Sequence, residues 1–121
     1  MAIAVPPLPP ADAVVVLTTV GDETAATALV SALLDERLVA CGTVLPGGRS
    51  LYRWEGAIAR EAEAVVLLKT TRERLAALEA AFPRLHPYTV PEFLALPVAH
   101  GSAAYLAWLG DAVRPAPDLS T

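Results

Sequence analysis

Two stretches of this chain, Val14-Val15-Val16-Leu17 and Val65-Val66-Leu67-Leu68, are apolar at every position. A strand with one wet face alternates, whereas a strand apolar at each residue is covered on both faces and belongs in the middle of a sheet. Two such strands, far apart in sequence, call for a layered fold in which the chain between and after them supplies the covering. After the first run Gly21-Asp22 breaks the pattern. Asp22 can cap a helix from Glu23 to about Arg37, with Ala25, Ala28, Leu29, Ala32 and Leu33 at helical spacing. From Val39 to Trp54 the residues turn β-branched, small or aromatic, which predicts one long strand with a bulge or bend at Pro46-Gly47-Gly48. Glu55-Gly56 turns the chain back, and the return strand runs to about Lys69. Thr70 followed by Glu73 has the spacing of a capping box, predicting a second helix from about Thr71 to Arg84, stopped by Pro83 and Pro87. Val90 to Val98 suits an edge strand that tolerates proline. Ser102 can cap a last helix, in which the spacing of Tyr105 and Trp108 points to core packing.

The order is therefore β-α-β-β-α-β with an added C-terminal helix, an α+β, ferredoxin-like sandwich in which the first and third strands are central. The two all-apolar runs are those two strands. With 121 residues there is room for one domain. It is expected over residues 13–113, between a flexible proline-rich tail at 1–12 and a flexible tail at 114–121, since six of the eleven prolines lie in the two ends.

Charge excludes several functions. Nine Lys and Arg against thirteen Asp and Glu leave a net −4, which argues against a phosphate-backbone partner. The same strand order builds RNA recognition motifs, but those need aromatic residues on a central strand. Glu63 to Lys69 has none. No basic segment precedes the apolar start, because the first Arg is Arg37, so no signal peptide is read. The uncharged run from Phe93 to Gly110 is broken by Pro97, His100, Gly101 and Ser102 and reads as strand, turn and helix rather than a membrane span. A cytoplasmic protein with neither nucleic-acid nor membrane partner is expected.

Few residues can carry chemistry. The chain has two His, one Cys and no nucleophile elbow, so an enzyme is not expected. Cys41, His86, His100 and the carboxylates Glu61, Glu63 and Glu92 lack the close pair spacing of a zinc or iron site. Cys41 reads more simply as a small buried hydrophobe, His86 as a partner for the last carbonyls of the second helix, and His100 as a turn residue. Glu61 and Glu63, two apart on a strand, read as a solvated face.

Five blocks in order carry a resemblance: Leu38-Val39-Ala40-Cys41-Gly42-Thr43-Val44-Leu45-Pro46-Gly47, Leu51-Tyr52-Arg53-Trp54-Glu55-Gly56, Leu68-Lys69-Thr70, Leu85-His86-Pro87-Tyr88-Thr89-Val90-Pro91-Glu92 and Tyr105-Leu106-Ala107-Trp108-Leu109. Together they resemble the CutA divalent-cation tolerance proteins. The resemblance implies a homotrimer built like the PII signalling proteins and a role in tolerance of copper or another divalent cation. In members credited with a copper site a Cys closes the first strand and a His pair precedes Pro-Tyr. Here Thr18 and Leu85-His86 stand at those places, so His86 alone carries over. Cys41 is added as a soft-metal candidate on chemical grounds. The expected metal residues are therefore His86 and Cys41. The alternative is a PII-like signalling trimer that binds a small ligand in clefts between subunits, near Trp54, Lys69, Tyr88 and Glu92.

Strand length points to an oligomer without the resemblance. Val39 to Arg53 would span roughly 50 Å extended, whereas a helix from Glu23 to Arg37 covers only about 22 Å. The overhanging end carries Leu51, Tyr52, Trp54 and Ile58, an apolar ribbon that invites cover from a second copy.

Overall fold

The computed structural model describes residues 12–116. Its elements are β1 (Ala13–Val20), α1 (Glu23–Asp35), β2 (Cys41–Trp54), β3 (Ala57–Thr71), α2 (Leu75–Leu85), β4 (Leu94–Pro97) and α3 (Ala103–Ala112), with a single 3₁₀ turn at Arg72–Arg74 ahead of α2. One antiparallel sheet has the order β2-β3-β1-β4, so the two all-apolar runs do lie on the two inner strands. Both prolines within strands, Pro46 and Pro97, fall on the outer strands β2 and β4, where a missing N–H disturbs least.

The even-numbered residues of β1 and β3 face α1 and α2. Val16, Leu33, Val66, Leu68, Leu78 and Phe82 form the centre of this core, each nearly or wholly buried. Asp22 accepts the Ala25 N–H at 2.8 Å and starts α1, and Ser102 caps α3 in the same way through the Tyr105 N–H. The second helix differs from expectation. β3 continues to Thr71, and Thr70 donates its hydroxyl to the Leu38 carbonyl at 2.7 Å instead of capping α2. A buried strand hydroxyl with a close acceptor has no reason to leave it, so the chain enters α2 through the 3₁₀ turn with no side-chain cap. Pro83 does not stop α2 either. It sits in the last turn, where its absent N–H forfeits one bond, and the helix ends only at His86, which the following Pro87 forces into an extended conformation.

The odd-numbered face is covered less than a strand apolar at each position suggests. α3 lies over one end of it, burying Leu106 and Leu109 against Ala13 and Ala40. Beyond that end Val15, Leu17, Val65 and Leu67 are only half-buried, and Leu94 and Leu96 on β4 are exposed. Tyr105 and Trp108, expected in the core, are instead about half exposed on α3, their ring centroids 5.5 Å apart. Leu106 and Leu109 take the packing positions, because α3 meets the sheet only at its end. β4 is also shorter than the expected Val90 to Val98.

The hairpin of β2 and β3 projects past the helical layer as anticipated, closed by Glu55 and Gly56, both at positive φ (48° and 80°), the conformation of a two-residue turn suited to strand twist. The ladder slips between Leu45 and Gly48. Gly48 lies so close to the neighbouring strand that a Cβ there would stand 2.6 Å from the Glu63 carbonyl oxygen. Near the two ends of the described residues Asp12 pairs with Arg72 at 2.9 Å, and the Arg114 carbonyl accepts from Arg37. The expected flexible tails at 1–11 and 117–121 lie outside the described residues. Among the described residues no helix is long and apolar enough to cross a membrane.

Candidate functional site

Two polar clusters stand out against the apolar sheet. The first is at the end of β1, where β3 runs on alone into the hairpin. His86, placed by the end of α2, is 5% exposed. Its Nε2 lies 3.0 Å from the Thr19 carbonyl and 3.2 Å from Thr18 Oγ1, while Nδ1 lies 3.1 Å from the Tyr88 backbone nitrogen. A carbonyl only accepts and a backbone N–H only donates, so the ring is neutral with its hydrogen on Nε2. Burial pushes its pKa below the usual histidine value, outweighing the opposite pulls of the Thr19 carbonyl and the Glu63 charge. Tyr88 rounds the end of β1 and donates its hydroxyl to Glu63 Oε2 at 2.8 Å. Burial, the Glu63 hydrogen bond and nearby negative charge all raise the Tyr88 phenol pKa. Burial alone would raise Glu63 as well. Hydrogen bonds from Ser50, Tyr88 and Thr19 outweigh it and hold the carboxyl below its ordinary range.

Glu63 thus corrects an expectation. It is 7% exposed and is not part of a solvated face with Glu61. Two-residue spacing did put both on one side of β3, but Tyr88 closes over Glu63 and leaves Glu61 in water. His86 also differs from its simplest reading. Its backbone N–H, not its ring, binds the last turn, through the Phe82 carbonyl at 2.8 Å.

The second cluster occupies the open face. The register places Cys41, Lys69, Val15 and Leu96 in one row across the four strands, and Thr43, Leu67, Leu17 and Leu94 in the next. The Lys69 ammonium bonds to the Thr43 hydroxyl. Tyr105 reaches over from α3 beside Cys41, and burial together with the Cys41 thiol raises its phenol pKa. Cys41 is partly exposed, so the expectation of a buried small hydrophobe does not hold.

The two expected metal residues are not brought together. Cys41 and Thr18 point to opposite faces of the sheet, and His86 sits on the Thr18 side. With both ring nitrogens engaged, His86 has no lone pair to offer unless the Tyr88 bond is broken. Among the described residues no three His, Cys, Asp or Glu side chains converge, and a first-row cation needs several donors. The described residues of one chain do not fit a metal centre. Of the four expected cleft residues, Tyr88 belongs to the first cluster and Lys69 to the second. Trp54 stands at the hairpin tip, about half exposed, and Glu92 lies between α2 and β4 without a hydrogen bond to either cluster among the described residues.

Fold, overlong hairpin and half-covered sheet together define a ferredoxin-like protein whose described polar clusters brace its strands. Residues 14–112 match the family described as CutA1 divalent ion tolerance protein, and the chain belongs to that family. The divalent-cation tolerance protein CutA of Citrobacter koseri is 48% identical over 103 residues, 85% of this chain and 90% of that protein. The solved structure of the divalent cation tolerance protein (Cut A1) from Thermus thermophilus matches with a TM-score of 0.80 at 44% identity, over 83% of this chain and 97% of its own. CutA1 from Oryza sativa matches with a TM-score of 0.83 at 36% identity, over 87% and 96%.

Proposed function

We propose that this chain serves divalent-cation tolerance as a homotrimer, and that its response runs through clefts between subunits rather than through a metal centre built by one chain. The observation that carries the reading is the uncovered apolar surface. Leu94 and Leu96 are exposed on the open face, and Leu51, Trp54 and Ile58 are each more than half exposed on the hairpin. A lone soluble domain rarely leaves so much contiguous apolar surface in water, and a ring of subunits covers open strand edges without creating new ones. The number three follows the family resemblance, and the surface argues only for more than one.

A cleft-bound small ligand is favoured over a resident cation by the cluster at Lys69, which offers donors and one positive charge. Sedimentation equilibrium at micromolar concentration is expected to give three times 12.7 kDa. Trp54→Asp is expected to dissociate the assembly. A folded monomer, or an assembly indifferent to Trp54→Asp, would overturn the proposal.

A further inference from the structure

We propose that each copy lays its overhanging hairpin, the arm, on the open face of the next copy, head to tail, with Glu61 of the arm paired to Lys69 of the face it covers. The proposal rests on the assembly reading above and names the two surfaces that meet.

Beyond the slip in β2 the arm has two unlike sides. Ser50, Tyr52 and Trp54 share one of them with their β3 partners Glu61, Ala59 and Ala57, and this side continues the open face. The other side carries Arg49, Leu51, Arg53, Ile58 and Arg60. On the open side Glu61 is the one exposed carboxylate that a strand supplies, because Glu63 is buried beneath Tyr88. The open face has the opposite sign. Along β1, β4 and residues 41–45 and 64–71, Lys69 is the only charged side chain, and it stands between Cys41 and Val15. Arg72, Arg84 and Arg114 each hold a carboxylate, whereas among the described residues neither Lys69 nor Glu61 has an ion partner. They cannot serve each other within a chain. Eight positions apart on one strand, they are separated by about 26 Å.

Sign decides which side of the arm comes down. The arginine side would bring three like charges to Lys69, and the Glu61 side brings its complement. Apolar area agrees with that choice, since Tyr52 and Trp54 lie beyond Glu61 towards the tip while Leu94 and Leu96 lie two strands across from Leu67 and Lys69. All four are exposed in the single chain. Seating the arm on the face hides both sets at once, and each charge leaves water already paired. An arm on a face joins two different surfaces, a heterologous contact of the kind that closes into rings. The Lys69 ammonium has three hydrogens, of which Thr43 takes one and Glu61 a second, so a donor is left for a ligand in the same cleft.

The test is charge reversal in the full chain, read by sedimentation equilibrium over a dilution series. Lys69→Glu and Glu61→Lys are each expected to weaken assembly at least about tenfold, because like charges then face one another. Both reversals in one chain are expected to restore it to within about threefold of native. Since the two residues are too far apart to meet within a chain, restoration reports a contact between copies. Assembly indifferent to either single reversal, or a doubly reversed chain no tighter than the single ones, would overturn the proposal. Arg60→Glu, on the arm's other side, is expected to change assembly little, and a loss equal to that of Glu61→Lys would overturn the choice of side. If a reversed chain does not fold, Lys69→Gln and Glu61→Gln decide: together they are expected to weaken assembly no more than one alone, and additive losses would count against the pair. A native chain that sediments as a folded monomer refutes the assembly reading itself, whereas a native trimer deaf to both reversals refutes only this contact.

Discussion

At His86 a neutral imidazole is held by both nitrogens in a nearly closed pocket, and two expectations follow. The unfolded chain takes up a proton there below the ordinary value of 6.5, while the fold resists it. More protons are then bound unfolded than folded, so stability is complete above pH 6.5 and declines as the pH falls below it. Glu63, also shifted down, adds a second loss of the same sign below 4.5. Denaturant unfolding at fixed protein concentration, stepped from pH 8 to 4, should show the first decline in the native protein and not in His86→Gln. The second expectation concerns copper. Because binding through His86 means breaking the Tyr88 bond, Cu(II) should bind no tighter than about micromolar. His86→Ala should leave that affinity unchanged, and a nanomolar complex abolished by the substitution would show the contrary. The sequence announced His86 plainly, through its place between a helix and Pro87. It did not announce Glu63, because what buries that residue is a tyrosine twenty-five positions away rounding the end of another strand.

Among the elements the hairpin is the most informative. Leu45 pairs with Val65 and Gly48 with Glu63, so β2 spends three steps where β3 spends two. The single extra residue exchanges the faces of everything beyond it: odd residues of β2 look to the open side before the slip, and Ser50, Tyr52 and Trp54 do so after it. Deleting Gly47 should remove the slip and its bend while Tyr52 stays opposite Ala59 and Trp54 opposite Ala57, each on the same side as before. The expected result is retained far-ultraviolet dichroism with loss of assembly mass, because the bulge sets the direction in which the tip leaves the sheet, and an unchanged mass would show that this direction does not matter. Pro46-Gly47-Gly48 made the bulge legible in advance. The start of α2 was not, since Thr70 and Glu73 fit a capping box equally well until the Leu38 carbonyl is known to be waiting for the hydroxyl.

Over the whole molecule the sheet has one finished face and one unfinished. Continuous apolar runs identified the inner strands, but they could not say whether the second cover belongs to the same chain. α3 supplies it only at one end, which also explains why Tyr105 and Trp108 stay at the surface. This half-covered sheet has a kinetic meaning. In the proposed assembly a chain that has packed α1 and α2 has finished its first-order work, and the remaining apolar surface leaves water only on meeting other copies. The late phase of refolding should therefore quicken with chain concentration while the early phase does not, and dilution should lengthen it without limit. Stopped-flow refolding across a hundredfold range of concentration reads both phases, and a late phase indifferent to dilution would mean that the open face needs no companion. A newly made chain in a sparse population would then pass much of its life half-dressed, its persistence set by how often it meets its own kind.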